Sequence, residues 1–276
     1  MVCPATVSVG QTLDDNRRAR SRRGYRPSMG EKSRRWLVSA GLLAGAAPLI
    51  AAAVTSYWQP CAGSMLSGSV FNGYRYGPDF SDACLAAMDE AFMFPMPLPG
   101  SGWTLAGASG LSALMLLAAA WLVLLPTTRL PWLARLAAAS PALFSIALAG
   151  LSLVAAVSPA DWMTPLMSGL WVLIEVAALV AMVVIGVGGS TGLVFLRYVI
   201  VLGASTAAGW FHQIFEYLVA ISLSDASWDS PPGTGYFTVL MIAASALATA
   251  GLWAVAGRTA AQRADASGLR QAGQPT

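Results

Sequence analysis

The chain has 276 residues, 56% of them hydrophobic and 11% charged, with a mean hydropathy of +0.62. Soluble domains carry about 25% charged residues, so this composition excludes an ordinary water-soluble fold and points to long segments dissolved in lipid. The formal net charge of +3 is unevenly spread: the ends of the chain are basic, but the arginines abut an apolar segment and lack interleaved aromatics, which argues against a nucleic-acid surface.

Residues 1–35 are polar, carry the basic clusters RRARSRRGYR and EKSRR and show no apolar periodicity. This segment is expected to be a disordered cytoplasmic tail or to rest on anionic headgroups. Met29 is a second candidate start, since nothing before it looks foldable. Six apolar stretches follow, at about 36–57, 103–125, 137–158, 166–187, 193–222 and 236–256. Each is long enough to cross a hydrocarbon layer of roughly 30 Å at about 1.5 Å per residue. The expectation is an all-α polytopic membrane protein, a bundle of six transmembrane helices, with a second cytoplasmic tail at 257–276. The first stretch, SRRWLVSAGLLAGAAPLIAAAV, also resembles a twin-arginine export signal, but the five spans after it favour a first transmembrane helix kinked at Pro48.

Orientation follows from the arginines. With both termini cytoplasmic, segments 1–35, 126–136, 188–192 and 257–276 hold every basic residue except Arg75 and Arg197, the latter just inside the fifth span. The opposite segments hold Asp79, Asp82, Asp89, Glu90, Asp161, Asp225 and Asp229. That arrangement satisfies the positive-inside rule at every joint and places Trp36, Trp58, Trp103, Trp132, Trp162 and Trp228 at interfaces. Arginine outnumbers lysine fifteen to one, and alanine and glycine abound. Such a bias is associated with GC-rich bacterial genomes, so the expected location is a bacterial plasma membrane.

Residues 58–102 form the one sizeable aqueous loop. Cys61 and Cys84 lie in it on the oxidising side, where disulfides persist. A bridge between them would stabilise the loop by about 3 kcal/mol. Cys3 lies on the reducing side, and two thiols without nearby histidines make an incomplete zinc site, so no metal is expected. SDACLAAMDEAFM, 81–93, reads as a short helix with Ser81 as N-cap and with Cys84, Leu85, Met88 and Phe92 on one face. FPMPLPG after it is expected to lie at the membrane surface. The loop reads as a stapled lid, or as a surface for a membrane-protein partner.

Glu175 in WVLIEVAALV and His212 and Glu216 in GWFHQIFEY interrupt otherwise lipid-soluble spans. Ionisable groups in a span cost about 2.5–3.5 kcal/mol near its centre and mark functional sites by default. Residue counts put Glu175 roughly 13 Å and His212 roughly 15 Å below the outer surface, at one level. On an uninterrupted helix, Arg197, Ser205, His212 and Glu216 fall on one face. Between them runs GASTAAG, 203–209, whose small residues admit close helix approach, leave room for a ligand, or unwind locally as in some transporters. Glu175, His212, Glu216, Ser205 and Arg197 are thus the candidate polar intramembrane site. Its chemistry suits a proton-holding pocket or an interhelical clasp, because imidazole exchanges its proton near neutral pH.

Two serine motifs bear on catalysis. Gly188-Gly189-Ser190-Thr191-Gly192 fits G-x-S-x-G, but no strand precedes it. Gly107-Ala108-Ser109-Gly110 resembles the GxSG of rhomboid intramembrane proteases. That resemblance implies six helices and a serine–histidine dyad of Ser109 and His212, although here the serine falls on the second span and the histidine on the fifth. One histidine cannot supply both axial ligands of a haem, and no phosphate-cradling loop with its lysine exists, so no cofactor is expected. The function expected from the sequence is non-enzymatic: a cell-envelope assembly component or a small-molecule permease.

Overall fold

A computed structural model describes residues 29–63, 80–90, 92–95, 104–158, 160, 162–188, 192–224, 231–252 and 254. Among them are helices and turns but no strand. Most of the expected basic tail, Arg75, residues 225–230, Ser190 and the 257–276 tail lie outside the described residues.

Helix α1 spans Met29–Tyr57, α2 Asp82–Asp89, α3 Leu105–Leu122, α4 Trp132–Val157, α5 Met163–Val187, α6 Gly192–Ser205 and α7 Trp210–Ser224, and α8 covers Tyr236–Leu252. Local chemistry sets several ends. Ser81 and Thr104 cap α2 and α3 by accepting the N–H groups of Cys84 (3.2 Å) and Gly107 (3.0 Å). Pro131 precedes α4, where its missing N–H leaves no bond unmade. Inside α4, Pro141 cannot donate to the carbonyl of Ala137, and Ser140 Oγ donates to it instead at 2.7 Å. The helix therefore runs on through its proline.

Segments Gly30–Tyr57, Leu105–Thr127, Trp132–Val157 and Met163–Val187 are long and apolar enough to cross a membrane. The composition and length of these helices are compatible with a multi-pass integral membrane protein. The fifth expected span is not one helix. The chain breaks after Ser205, and α6 and α7 meet at a bend of 76°; only together do they qualify as a fifth span. Thr206 Oγ1 donates to Leu202 O (3.0 Å), Ser205 Oγ donates to the same carbonyl (2.9 Å), and Gly209 N closes a tight turn on Thr206 O (2.7 Å). Hydroxyls that take over backbone carbonyls bend helices. The sixth expected span, α8, is a shorter apolar helix than the other four.

Helix α1 packs along α3, α3 also touches α4 and α6, α4 lies along α5, and α5 meets α6 and α7. Small residues such as Ala46, Ala47, Ala113, Ala118 and Ala138 make these approaches close, with Leu43, Leu114, Leu117 and Trp121 fully buried among them. Large apolar side chains point outward, most clearly Val172, Val176, Leu179 and Val183 of α5. That inversion suits lipid as the solvent.

The bundle has two chemically distinct ends. Arg35 pairs with Glu31 at 2.9 Å and reaches the carbonyl of Val123 at the end of α3, and Arg135 reaches Thr128 O, so arginines gather here. The first helix extends back to Met29, seven residues before the start read from the sequence. At the other end the Cys61–Cys84 disulfide is formed, with Cα atoms 4.8 Å apart, and staples α2 to the 3-10 turn Gln59–Cys61 that follows α1. Tyr57 hydroxyl lies 2.8 Å from Ala87 O and 3.0 Å from Glu90 O, and Trp58 Nε1 donates to Thr234 O at 2.8 Å. Cys84, Met88 and Phe92 turn inward as the spacing anticipated, and Leu85 is half-buried. Of the FPMPLPG stretch expected at the membrane surface, Phe94 and Pro95 are buried in the bundle and residues 96–100 lie outside the described residues.

Candidate functional site: a histidine–carboxylate pair in a broken helix

Glu175 sits mid-way along α5, 9% exposed, on a helix otherwise apolar around it. Opposite is the break between α6 and α7, where the backbone of Gly209 lies under the Glu175 side chain. A Cβ on Gly209 would come within 2.6 Å of Glu175 Cδ and 2.8 Å of Cγ. An alanine there would displace the Glu175 side chain, although the φ of Gly209 lies outside the left-handed region. The carboxylate lies over Gly209 and bonds through Oε1 to Nδ1 of His212, the third residue of α7, at 2.8 Å. This is an interhelical bond between α5 and α7.

Nδ1–H donates to the carboxylate, which fixes the ring's orientation and makes Nε2 an acceptor in the neutral ring and a donor in the charged one. Nε2 carries no hydrogen bond among the described residues, and His212 keeps 22% of its side chain exposed. The pair can therefore hold one polar partner at Nε2 while Glu175 stays seated.

Gln213 was not singled out from the sequence. Its Oε1 accepts Phe94 N (3.2 Å), and its Nε2 donates to Phe94 O (3.2 Å) and Ala207 O (3.2 Å). One amide thereby ties the buried Phe94–Pro95 turn to the helix break. Its signal was only adjacency to His212 in GWFHQ.

The remaining candidates go elsewhere. Glu216 does not share the pocket of Glu175 and His212. It is 3% exposed and caps α8: Oε1 accepts Gly235 N (2.6 Å) and Phe237 N (3.1 Å), and Oε2 accepts Thr238 N (2.6 Å) and Thr238 Oγ1 (2.8 Å). A carboxylate at a helix N-terminus satisfies orphan N–H groups and complements the dipole. Gly235 adopts φ +108°, a conformation that favours glycine, and a Cβ there would fall 2.5 Å from Val54 Cγ2 and 2.7 Å from Phe92 Cε1. Ser205 is buried, its hydroxyl committed to Leu202 O. Arg197 lies at the basic end, its guanidinium 5.9 Å over the Trp36 ring.

Ser109 is buried in α3, and no hydrogen bond joins it to His212 among the described residues, where Nδ1 faces Glu175. Its neighbour Gly110 lies against Pro95: a Cβ there would fall 2.9 Å from the Pro95 carbonyl carbon. The small residues of GASG are what let that turn seat on α3. Among the described residues no three His, Cys, Asp or Glu side chains gather as a metal site.

The chain matches no protein-family model, no curated protein and no solved structure.

Proposed function

We propose that this chain is a non-enzymatic, multi-pass permease of the bacterial plasma membrane that binds a small polar solute at the Glu175–His212 pair. In this reading α6 and α7 are one broken span, α8 is the sixth span, and both termini face the cytoplasm, as the positive-inside distribution favours. The pair then lies in the outer half of the bundle. The observation that carries the reading is a carboxylate seated in a helix break, over a glycine, and bonded to a histidine with one nitrogen uncommitted. Broken helices whose half-helix ends face a mid-membrane site are how many transporters hold polar cargo. Proteoliposome counterflow across a panel of radiolabelled small polar solutes tests it. The wild type should exchange one class that Glu175→Gln and His212→Ala both lose. Full exchange by both variants at normal abundance overturns the assignment.

The stapled cap supports a second reading, in which the chain is an assembly component. Asp82 and Asp89 of α2 and Glu90 just beyond it are exposed, and the disulfide fixes α2 over the bundle. Photo-cross-linking from Asp89 in cells should then capture one defined membrane protein. Cross-links spread over many proteins would count against it. Nothing around Ser109 favours the protease alternative.

A further inference from the structure

At the basic end of the bundle, Arg197 differs from its neighbours. It lies in the second turn of α6, a helix whose Leu193, Val194 and Leu196 are exposed. Its guanidinium sits over Trp36, which packs on Tyr198 with ring centroids 5.0 Å apart. Tyr198 is held by Thr127, hydroxyl to hydroxyl at 2.7 Å, and by the edge of Trp121. This aromatic shelf is buried and fixed from three helices, so the cation above it is positioned rather than free to wander.

No carboxylate comes within ion-pair distance of Arg197 among the described residues, and its Nε is buried without an acceptor there. Arginine does not shed its charge, and an unneutralised guanidinium inside a span is costly. The charge balance calls for an anion from outside the described protein. The apolar surface beside it selects which one: a soluble ion gains nothing from Leu193, Val194 and Leu196, whereas acyl chains do. We infer that Arg197, set on the Trp36–Tyr198 shelf, binds the phosphate of an anionic phospholipid headgroup where α1 meets α6. The guanidinium's planar fork matches phosphate oxygens in a way an ammonium cannot. An anionic headgroup is favoured over a zwitterionic one because this end of the bundle also carries Lys32, Arg34, Arg129 and Arg135.

Native mass spectrometry of the full chain, purified with equal phosphatidylglycerol and phosphatidylcholine, tests the inference. The wild type should retain phosphatidylglycerol preferentially. Arg197→Gln should retain it at least about fivefold less, the scale of one interfacial cation. Arg34→Gln, which removes an exposed cation, should change it less. Arg197→Lys preserves the charge but loses the fork, so it should fall between wild type and Arg197→Gln; if the glutamine variant is not recovered folded, the lysine variant must still retain less than wild type. Equal retention by wild type and both Arg197 variants overturns the proposal, as does equal retention of the two lipids. Displacement by millimolar inorganic phosphate would make the ligand a soluble phosphate and overturn the lipid assignment.

Discussion

Gly209→Ala offers the sharpest test of the pair's geometry, because one methyl group is asked to occupy space the Glu175 side chain holds. The new Cβ would lie 2.6 Å from Cδ and 2.8 Å from Cγ, well inside van der Waals contact. The backbone beneath it is not free to retreat, since Gly209 N is bonded to Thr206 O and Gly209 O receives Gln213 N. The carboxylate must therefore swing away and give up its 2.8 Å bond to His212. Overpacking of this kind costs about 1–3 kcal/mol, and an interhelical bond in a bilayer is worth about 0.6–1.7 kcal/mol. The sum is about 1.6–4.7 kcal/mol. The same substitution made on Glu175→Ala meets an emptied space and no bond to lose. With φ outside the left-handed region, alanine there should be neutral, or slightly stabilising by about 0.4–1 kcal/mol through lost chain entropy. Steric-trap unfolding in bicelles of the wild type, both single variants and the double variant measures the cycle. A coupling of about 2 kcal/mol or more is expected. If Gly209→Ala costs the same in both backgrounds, the carboxylate does not occupy the break and the site as described is wrong.

Other consequences follow from the same contacts. Glu216→Ala removes four bonds from the start of α8 and should destabilise the protein by about 2–4 kcal/mol, measured by the same unfolding assay. Cys61→Ser with Cys84→Ser should cost about 3 kcal/mol for a loop of 23 residues, and non-reducing electrophoresis should show the wild type migrating faster than its reduced form. Gly110→Ala sets a methyl against the backbone of Pro95, which cannot swing aside as a side chain can. It should therefore cost about 1–3 kcal/mol and raise protease cleavage in the Phe92–Pro95 turn.

How much of this was legible in the sequence depends on which physical rule governed each residue. The expected apolar spans 103–125, 137–158 and 166–187 match Leu105–Leu122, Trp132–Val157 and Met163–Val187 within a few residues at most ends. A bilayer demands about 20 apolar residues per crossing whatever the neighbours are. Cys61–Cys84 and the Ser81 cap were legible for a similar reason: both are short-range constraints, of chain closure and of one turn's hydrogen bonds. Glu175 and His212 could be paired by depth alone, since counting residues from a boundary survives small errors of phase. Glu216 could not be placed that way. It stands one turn beyond His212 on α7, but its carboxylate turns to the N-terminus of α8, a partner that residue counts do not reveal, while the 76° bend takes Arg197 and Ser205 off the axis of His212. The break in turn rests on Ser205 and Thr206 turning their hydroxyls onto Leu202 O, a choice between backbone and solvent-like partners that composition leaves open. The glycine that follows shows why the sequence signal was ambiguous. Gly209 and Gly110 face Glu175 and the Pro95 backbone, partners that their own segments do not reveal, and Gly235 adds the approach of Val54 to a positive φ. In a stretch such as GASTAAG a small residue kept for such an approach looks the same as one kept for helix packing. Only the partner tells them apart, and a substitution cycle that removes the partner is the experiment that recovers the information.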